Sequence, residues 1–344
     1  MKFTSALVAV AGLLSATSAL AAPEVGMAKV VKRADGTPTD VEILNYALTL
    51  EFLERRFYAD VVAKFDAAAF KKAGYPATVY SRLTLLAKQE AEHVAFLAGA
   101  LGTAGVGECK YAFGLTTPKA ALATARLLEN VGVAAYLGAA GDISTPAYLA
   151  AAASILTVEA RHASYLNEEN NVPGFPATYD SGYVVRVFAL FFLFYTLASP
   201  LIVPGSCGAG ALPASIQAFP AVTVTTKTAR SGHRANISFP LKAGYTGSYY
   251  AAFITSGATT FAPVQFGPDS KVTVSVPKGL SGLTYILIST SATLADNEHT
   301  AAFGTIFLDR SPRLSAPSPL SVLEPPPPLS PSAFHDFNAL PVLR

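Results

Sequence analysis

Apolar and polar positions recur with a helical period over residues 39–169, and clear start and stop signals divide this stretch into four long segments. A capping-box pattern at Thr39 and Glu42 opens the first segment. Thr117 and Thr145 each precede a proline, the usual order of a capping residue and a first helical position. The pattern predicts four helices of similar length: helix A over 40–65, helix B over 77–101, helix C over 118–140 and helix D over 146–169.

The connections predict how these helices pair. Helices A and B, and helices C and D, are joined by short segments, so each pair should be antiparallel. Residues 102–117 between helices B and C have no helical period and could span about 50 Å when extended. Two hairpins joined by one long crossover indicate a ferritin-like four-helix bundle, up-down-down-up, over residues 38–175.

From residue 218 onward the pattern changes to alternation, which is typical of strands. Seven short segments separated by Gly, Pro and Ser turns predict a small antiparallel β-sandwich over residues 218–310. The segments are 221–226, 235–240, 247–255, 259–266, 271–277, 284–291 and 300–308. The predicted fold class is therefore multidomain, with an α bundle followed by a β domain.

Both ends of the chain look like segments outside these domains. Residues 1–22 have Lys2, an apolar stretch and small residues before position 22, as in a secretory signal peptide. Residues 23–37 contain the pair Lys32-Arg33, which is either a propeptide cleavage site or an ordinary basic pair in a linker. Residues 311–344 are proline-rich, and we expect a disordered tail. The leader predicts a protein that is secreted to the medium or the cell wall.

Composition limits the classes of partner and indicates the redox environment of the protein. Only 14% of the 344 residues are charged and the net charge is +2, which argues against a nucleic-acid partner. The two cysteines, Cys109 and Cys207, should form a disulfide in an oxidising compartment, although free thiols or an intermolecular bond remain alternatives. Asn236 begins an Asn-Ile-Ser sequence, which is a glycosylation acceptor if the β domain is lumenal.

A repeated motif carries the candidate chemistry. The only histidines of the helical region, His93 and His162, each follow a glutamate by three residues, Glu90 and Glu159. Glutamate occupies 13 of the 344 positions, so two such matches by chance have a probability of roughly 0.1%. Residues three apart lie on the same face of a helix.

A second repeat accompanies the first. Glu51 precedes Tyr58 by seven residues on helix A, and Glu129 precedes Tyr136 by seven residues on helix C. Helix A thus matches helix C, and helix B matches helix D, so the bundle is an internal duplication. The same register selects Glu51 rather than Glu54 as the counterpart of Glu129.

One glutamate from each of two helices, with Glu-x-x-His from each of the other two, is the ligand set of a carboxylate-bridged dinuclear metal centre. The set is Glu51, Glu90, His93, Glu129, Glu159 and His162. Carboxylates bridge cations and imidazole suits iron, so we expect two iron ions, or manganese. The alternative for any single acid is a solvated outward face, and this interpretation fits Glu54, Glu92 and Glu108.

The segments ILNYALTLEFLERRFY, QEAEHVAFLAGAL, ARLLENVGVAAYLGAAGDI and ILTVEARHASYLN resemble the secreted ferritin-like family of fungi, which is related to desiccation-associated and stress-response proteins. The resemblance implies that Glu90 and Glu159 bridge the metals, that Glu51 and His93 hold one ion, and that Glu129 and His162 hold the other. The repeated seven-residue spacing adds Tyr58 and Tyr136 as supporting residues around the ligands.

The chain departs from related sites at two positions. Bacterioferritin-like and rubrerythrin-like sites usually have an aspartate just before the Glu-x-x-His glutamate, where this sequence has Gln89 and Val158. Because that aspartate orients a histidine across the site, its loss should weaken metal binding. The appended β domain and disulfide also fit a 24-subunit shell poorly.

The connector over residues 176–217 contains the apolar stretch 184–203, which has 17 uncharged residues from Val187 to Val203. A membrane span, a fifth helix packed on the bundle and an inserted segment over residues 181–194 are the three interpretations. A span is not favoured, because it would separate Asn236 and Cys207 from the lumenal side.

Two functions follow from these patterns. The first is a secreted protein that binds two iron or manganese ions and oxidises Fe(II) or consumes peroxide under stress. The second is a non-enzymatic extracellular or wall-associated protein with a structural or vestigial metal site, whose β domain contacts wall components or another copy of the chain.

Overall fold

The computed structural model describes residues 38–182, 199–207, 219–255, 258–268, 271–292 and 299–308. Five helices come first in these residues: α1 Asp40–Lys64, α2 Ala67–Lys72, α3 Ala77–Leu101, α4 Pro118–Ala139 and α5 Pro146–Glu169. The four predicted long helices are confirmed as α1, α3, α4 and α5. The predicted leader 1–22, linker 23–37 and tail 311–344, with most of the apolar stretch 184–203, lie outside the described residues.

The helices begin where the sequence signals place them. Thr39 and Glu42 form a complete capping box at α1. The Thr117 hydroxyl accepts a hydrogen bond from the backbone N–H of Ala120 at the start of α4. Thr145 precedes α5 without a side-chain capping bond, and its backbone N–H donates to the Asp40 carboxylate instead. Asp40 therefore joins the start of α1 to the start of α5.

The crossover between the two hairpins runs along α1. Near its beginning, the side chain of Asn45 donates to the carbonyl of Ala104, 2.9 Å away, and accepts from the N–H of Val106. Glu108 forms an ion pair with Arg55, nearly three turns beyond Asn45 on α1. Near the end of the crossover, Lys64 donates to the carbonyl of Leu115. The long connection thus follows the helix from one end to the other, as its length predicted.

The region after the bundle is a seven-stranded antiparallel sheet in the order β1-β2-β5-β4-β3-β6-β7. The strands are β1 Thr223–Val224, β2 Arg234–Ser238, β3 Tyr250–Thr255, β4 Ala258–Phe266, β5 Val272–Ser275, β6 Gly282–Ser289 and β7 Thr300–Leu308. The seven predicted strand segments correspond to these strands, and the antiparallel β region is confirmed.

Strand β4 belongs to both halves of the sheet. Its first part, up to Pro263, pairs with β3, and Val264–Phe266 pairs with β5. Side chains from the two halves, such as Ile237 on β2 and Phe253 on β3, lie in one hydrophobic cluster. This shared cluster is the arrangement expected of a sandwich.

The other face of β3, β6 and β7 packs on the bundle. Leu283, Tyr285 and Phe303 lie in the same hydrophobic cluster as residues of α1 and α4. All eight residues of β6 are buried, because this strand contributes one face to each of the two clusters. A central strand covered on both sides is buried throughout its length.

A polar contact accompanies this packing. The guanidinium of Arg126, on α4, lies 3.7 Å from the ring centre of Phe307 on β7. Its Nε donates to Asn167 on α5, 2.8 Å away. Arg126 is buried, and it joins both helices of the second hairpin to the last strand.

The disulfide between Cys109 and Cys207 links the crossover to the segment that follows the bundle. Backbone hydrogen bonds flank it, from Ala112 to the carbonyl of Leu201 and from Val203 to the carbonyl of Lys110. The predicted pairing of the two cysteines is therefore present. Among the described residues, no helix has both the length and the apolar character that crossing a membrane requires.

We expect the double substitution Cys109→Ala with Cys207→Ala to lower the melting temperature by several degrees. The disulfide closes a loop with a sequence separation of 98 residues, for which the chain-entropy model gives up to about 4.7 kcal/mol. Differential scanning calorimetry of both proteins measures the effect, and reduction of the native protein should reproduce it. An unchanged melting temperature would contradict this assignment.

Candidate metal centre

Each long helix contributes to one buried polar cluster in the bundle. Glu51 lies on α1 and Glu129 on α4, while α3 and α5 each contribute a Glu-x-x-His pair. The four glutamates of the predicted set are completely buried, with no exposed surface. Carboxylates are almost never fully buried unless they are paired or bind cations.

The ligand atoms form two overlapping groups. Oxygen and nitrogen atoms of Glu51, Glu90, His93 and Glu159 lie within 4.8 Å of one another, and so do those of Glu90, Glu129, Glu159 and His162. The structure thus brings together all six predicted residues. Glu90 and Glu159 belong to both groups, whereas each histidine belongs to one.

The Nδ1 atom of His93 faces the first group. It lies 3.2 Å from Glu51 Oε2, 3.1 Å from Glu90 Oε2 and 3.2 Å from Glu159 Oε1. The contact with Glu159 crosses from α3 to α5. One imidazole nitrogen therefore meets carboxylates from three different helices.

His162 mirrors this arrangement in the second group. Its Nδ1 lies 3.0 Å from Glu90 Oε1 and 3.2 Å from Glu129 Oε2. The two oxygens of Glu90 thus contact different histidines. This geometry is what a carboxylate that bridges two cations requires.

Two tyrosines exchange hydrogen bonds between α1 and α4. Tyr58 on α1 donates to Glu129 on α4, and Tyr136 on α4 donates to Glu51 on α1. Burial and the neighbouring carboxylate raise the pKa of each phenol well above its ordinary value, so both remain donors. The seven-residue spacing noticed in the sequence places each tyrosine beside the glutamate of the other half.

One sequence-based prediction is wrong at this site. Glu54 was assigned to a solvated outward face, but it is buried, with 2% of its surface exposed. A Cβ atom at Gly132 would lie 3.1 Å from Glu54 Oε1 and 3.2 Å from Glu159 Oε2, so Glu54 sits beside the cluster. The sequence carried a signal for this, because Glu54 is one turn beyond Glu51 on the same helical face. Glu92 and Glu108 are on the surface, where they pair with Lys88 and Arg55.

At position 89 the structure has a histidine contact where the missing aspartate predicted none. Oε1 of Gln89, on α3, lies 2.8 Å from Nε2 of His162 on α5. An amide oxygen accepts from the outer N–H of this histidine and leaves Nδ1 directed at the carboxylates. Val158, at the equivalent position of the other half, has no polar group to offer His93.

The geometry agrees with a comparison against known families. The family model described as ferritin-like domain matches residues 39–171. The helical part of this chain is a ferritin-like domain. No curated protein matches the chain significantly.

Burial and mutual repulsion dominate the electrostatics of the ferritin-like domain. Burial raises the pKa of Glu51 to about 8 and raises the pKa of Glu159 well above its ordinary value. Burial alone would lower the pKa values of both histidines. The neighbouring carboxylates outweigh this effect, and they raise the pKa of His93 to about 12 and the pKa of His162 to about 10. Burial likewise opposes ionisation of Glu90, yet hydrogen bonds from both histidines lower its pKa to about 2.

The residues fit a pair of metal ions. Carboxylate oxygens and imidazole nitrogens together suit iron and manganese. Glu159 Oε2 is buried and has no hydrogen-bond partner among the described residues. An unsatisfied buried carboxylate oxygen is costly in the metal-free protein, and a cation would satisfy it.

We expect the metal-free protein to lose stability as the pH rises from about 5 to 8. In this range the folded state holds more protons than the unfolded state, on both histidines and on Glu51 and Glu159, because their folded pKa values are raised. Each extra proton contributes a slope of about 1.4 kcal/mol per pH unit. The depressed pKa of Glu90 acts in the opposite direction only below about pH 4.5.

Melting temperatures of chelator-treated protein at pH 5, 6, 7 and 8 measure this dependence. Glu51→Gln should flatten the profile, because it removes a group that titrates near pH 8 in the folded state. Stability that is constant or increases across this range would contradict the assignment.

Proposed function

We propose that this protein binds two iron or manganese ions in its ferritin-like domain and oxidises Fe(II), or consumes peroxide, outside the cell. The observation that supports it most is that Glu90 and Glu159 belong to both groups of ligand atoms. Glu90 and Glu159 would therefore contribute to holding both ions, and a pair of ions held by shared carboxylates would supply paired redox chemistry.

Each ligand has a distinct part in this proposal. Glu51 and His93 would hold one ion, Glu129 and His162 the other, and Glu90 and Glu159 would bridge them. Tyr58 and Tyr136 orient the two terminal glutamates by donating to one oxygen of each. Gln89 holds His162 with Nδ1 facing the site. These contacts preorganise the cluster, so little rearrangement is needed when cations enter.

Bound iron would supply one-electron redox chemistry at positions left open by the mixed oxygen and nitrogen ligands. As substrates, two Fe(II) ions give up one electron each, and one molecule of peroxide takes both electrons with two protons to form two molecules of water. The protein contributes the binding groups and the proton-holding histidines and glutamates. His93 is the more accessible histidine, with 12% of its side chain exposed against 6% for His162.

An extracellular setting is part of the proposal. The Cys109–Cys207 disulfide suits an oxidising compartment. The predicted leader and the similarity to secreted stress-response proteins of fungi support the same location. Asn236, the glycosylation acceptor predicted for a lumenal β domain, lies on β2 opposite Thr273 of β5 and is half-buried.

A non-enzymatic protein with a structural metal site is the alternative. Val158 occupies the position equivalent to Gln89, and valine has no polar group that could support His93 as Gln89 supports His162. The loss of such a supporting group lowers metal affinity about 10- to 100-fold. In this case the β region would make the functional contacts, with wall components or with a second copy of the chain.

We expect His93→Ala combined with His162→Ala to abolish metal binding, because each group of ligand atoms then loses its only nitrogen. Metal analysis after dialysis against Mn²⁺ or Fe²⁺ should give about two ions for the native protein and none for the variant. His233→Ala is the matched control, since His233 is exposed on the β region. Equal metal contents in the native protein and the double variant would refute the site.

We expect the native protein to accelerate Fe(II) oxidation at least about tenfold over the histidine double variant, which lacks the nitrogen ligands, with circular dichroism of both proteins to check that the variant is folded. The appearance of ferric absorbance under air, and separately under anaerobic peroxide, identifies the preferred oxidant. Metal binding without any acceleration under either oxidant would favour the structural alternative.

A further inference from the structure

Glu54 is a buried carboxylate that the six-residue ligand set leaves unused. It lies on α1, one turn after Glu51, and only 2% of its surface is exposed. Its Oε2 atom has no hydrogen-bond partner among the described residues. Burying an ionised carboxylate without a partner is strongly unfavourable, so a residue of this kind either takes up a proton or binds a cation.

Gly132 on α4 provides the space that Glu54 enters. A methyl group at position 132 would lie 3.1 Å from Glu54 Oε1 and 3.2 Å from Glu159 Oε2. These distances are tighter than ordinary van der Waals contact, so a side chain larger than hydrogen would displace one of the two carboxylates. Glu54 and Glu159 therefore point into the same small space beside α4.

Comparison of the two repeats shows that this arrangement is asymmetric. Glu54 follows Glu51 by three residues, and Gly132 follows Glu129 by three residues, so the two positions are equivalent. One half of the bundle thus supplies an additional carboxylate, and the other half supplies room for it. The unpartnered Oε2 of Glu159, a member of both ligand groups, lies at the same place.

Charge counting limits the states in which this carboxylate can remain buried. The four glutamates of the ligand set balance two divalent cations, provided that both histidines are neutral. An ionised Glu54 would exceed this balance by one negative charge, so it remains buried only when it is protonated or lies next to a cation. Carboxylates are preferred ligands of Fe²⁺ and Mn²⁺, and glutamate has enough side-chain torsions to turn its second oxygen toward an ion.

The second half of the site also has the better supported histidine. Gln89 accepts from Nε2 of His162 at 2.8 Å, whereas Val158 stands at the equivalent position for His93. Glu159 directs Oε1 toward His93 and Oε2 toward Gly132, so Glu54 lies beside the Glu159 oxygen that does not contact His93. Both departures from symmetry therefore strengthen the same metal position.

We propose that Glu54 is an additional carboxylate ligand of the ion held by Glu129 and His162, and that this position binds its metal more tightly than the position of Glu51 and His93. The inference rests on the proposed two-metal site. It assigns different metal affinities to two positions that the duplicated motif alone would make equal in affinity.

The test measures Mn²⁺ affinity by isothermal titration calorimetry in two backgrounds that each retain one position. In His93→Ala, which keeps the Glu129–His162 position, adding Glu54→Gln should weaken binding about tenfold or more. In His162→Ala, the same substitution should change the affinity less than twofold. Glu92→Gln, an exposed glutamate on α3, is the matched control and should have no effect in either background.

Two further measurements separate a ligand from a structural residue. Glu54→Gln should reduce the increase in melting temperature that Mn²⁺ produces in the native protein. Glu54→Asp retains the carboxylate on a shorter side chain and should give an intermediate Mn²⁺ affinity. It serves as a second variant in case Glu54→Gln does not fold. A lower metal-free melting temperature with unchanged affinity would overturn the proposal.

The outcomes distinguish this inference from the proposed function. If the native protein takes up no Mn²⁺, the two-metal site itself fails. If the native protein binds two ions and Glu54→Gln leaves both affinities unchanged, or weakens only the position of Glu51 and His93, the assignment of Glu54 is wrong and the two-metal site stands.

Discussion

Positive charge beside buried carboxylates is the requirement on which the structure of the bundle depends. Five glutamates, Glu54 among them, lie at the centre of the helices with almost no exposed surface. Moving an ionised carboxylate out of water costs several kcal/mol unless a proton or a cation neutralises it. In the metal-free protein the two histidines provide this charge, and in the proposed loaded protein the cations would replace their protons.

This requirement explains why so many contacts fix the helices relative to one another. The tyrosine pair crosses between α1 and α4, and Asp40 joins the beginnings of α1 and α5. The crossover is bonded to α1 at both of its ends and is then tied to the following segment by the disulfide. A ligand group whose atoms lie within 4.8 Å of one another tolerates little movement of the elements that carry it.

The sequence predicted features that depend on local chemistry better than features that depend on packing. Capping residues and prolines located the four helices, since these signals act within one turn. The duplicated motif found the six candidate ligands, and the structure brings them together. The same duplication misplaced Glu54, because matching one glutamate to each helix took no account of the space at Gly132. The contact between the sheet and the bundle was not predicted either, since the burial of β6 on both faces depends on tertiary packing.

The two halves of the duplicated bundle differ because different segments cover them. The crossover runs along α1 of the first hairpin. The second hairpin packs against the sheet through Arg126 and Phe307, and the loop that leaves α5 places Gly182 against Leu137 of α4. An internal duplication alone would make the two groups of ligand atoms equal, and the different covering segments are one way in which the two halves depart from that symmetry. His162 is less exposed than His93, so the proposed metal position beside His162 is less accessible to water. In a drier position an additional carboxylate interacts more strongly with a cation, and this is the half in which Gly132 leaves room for one.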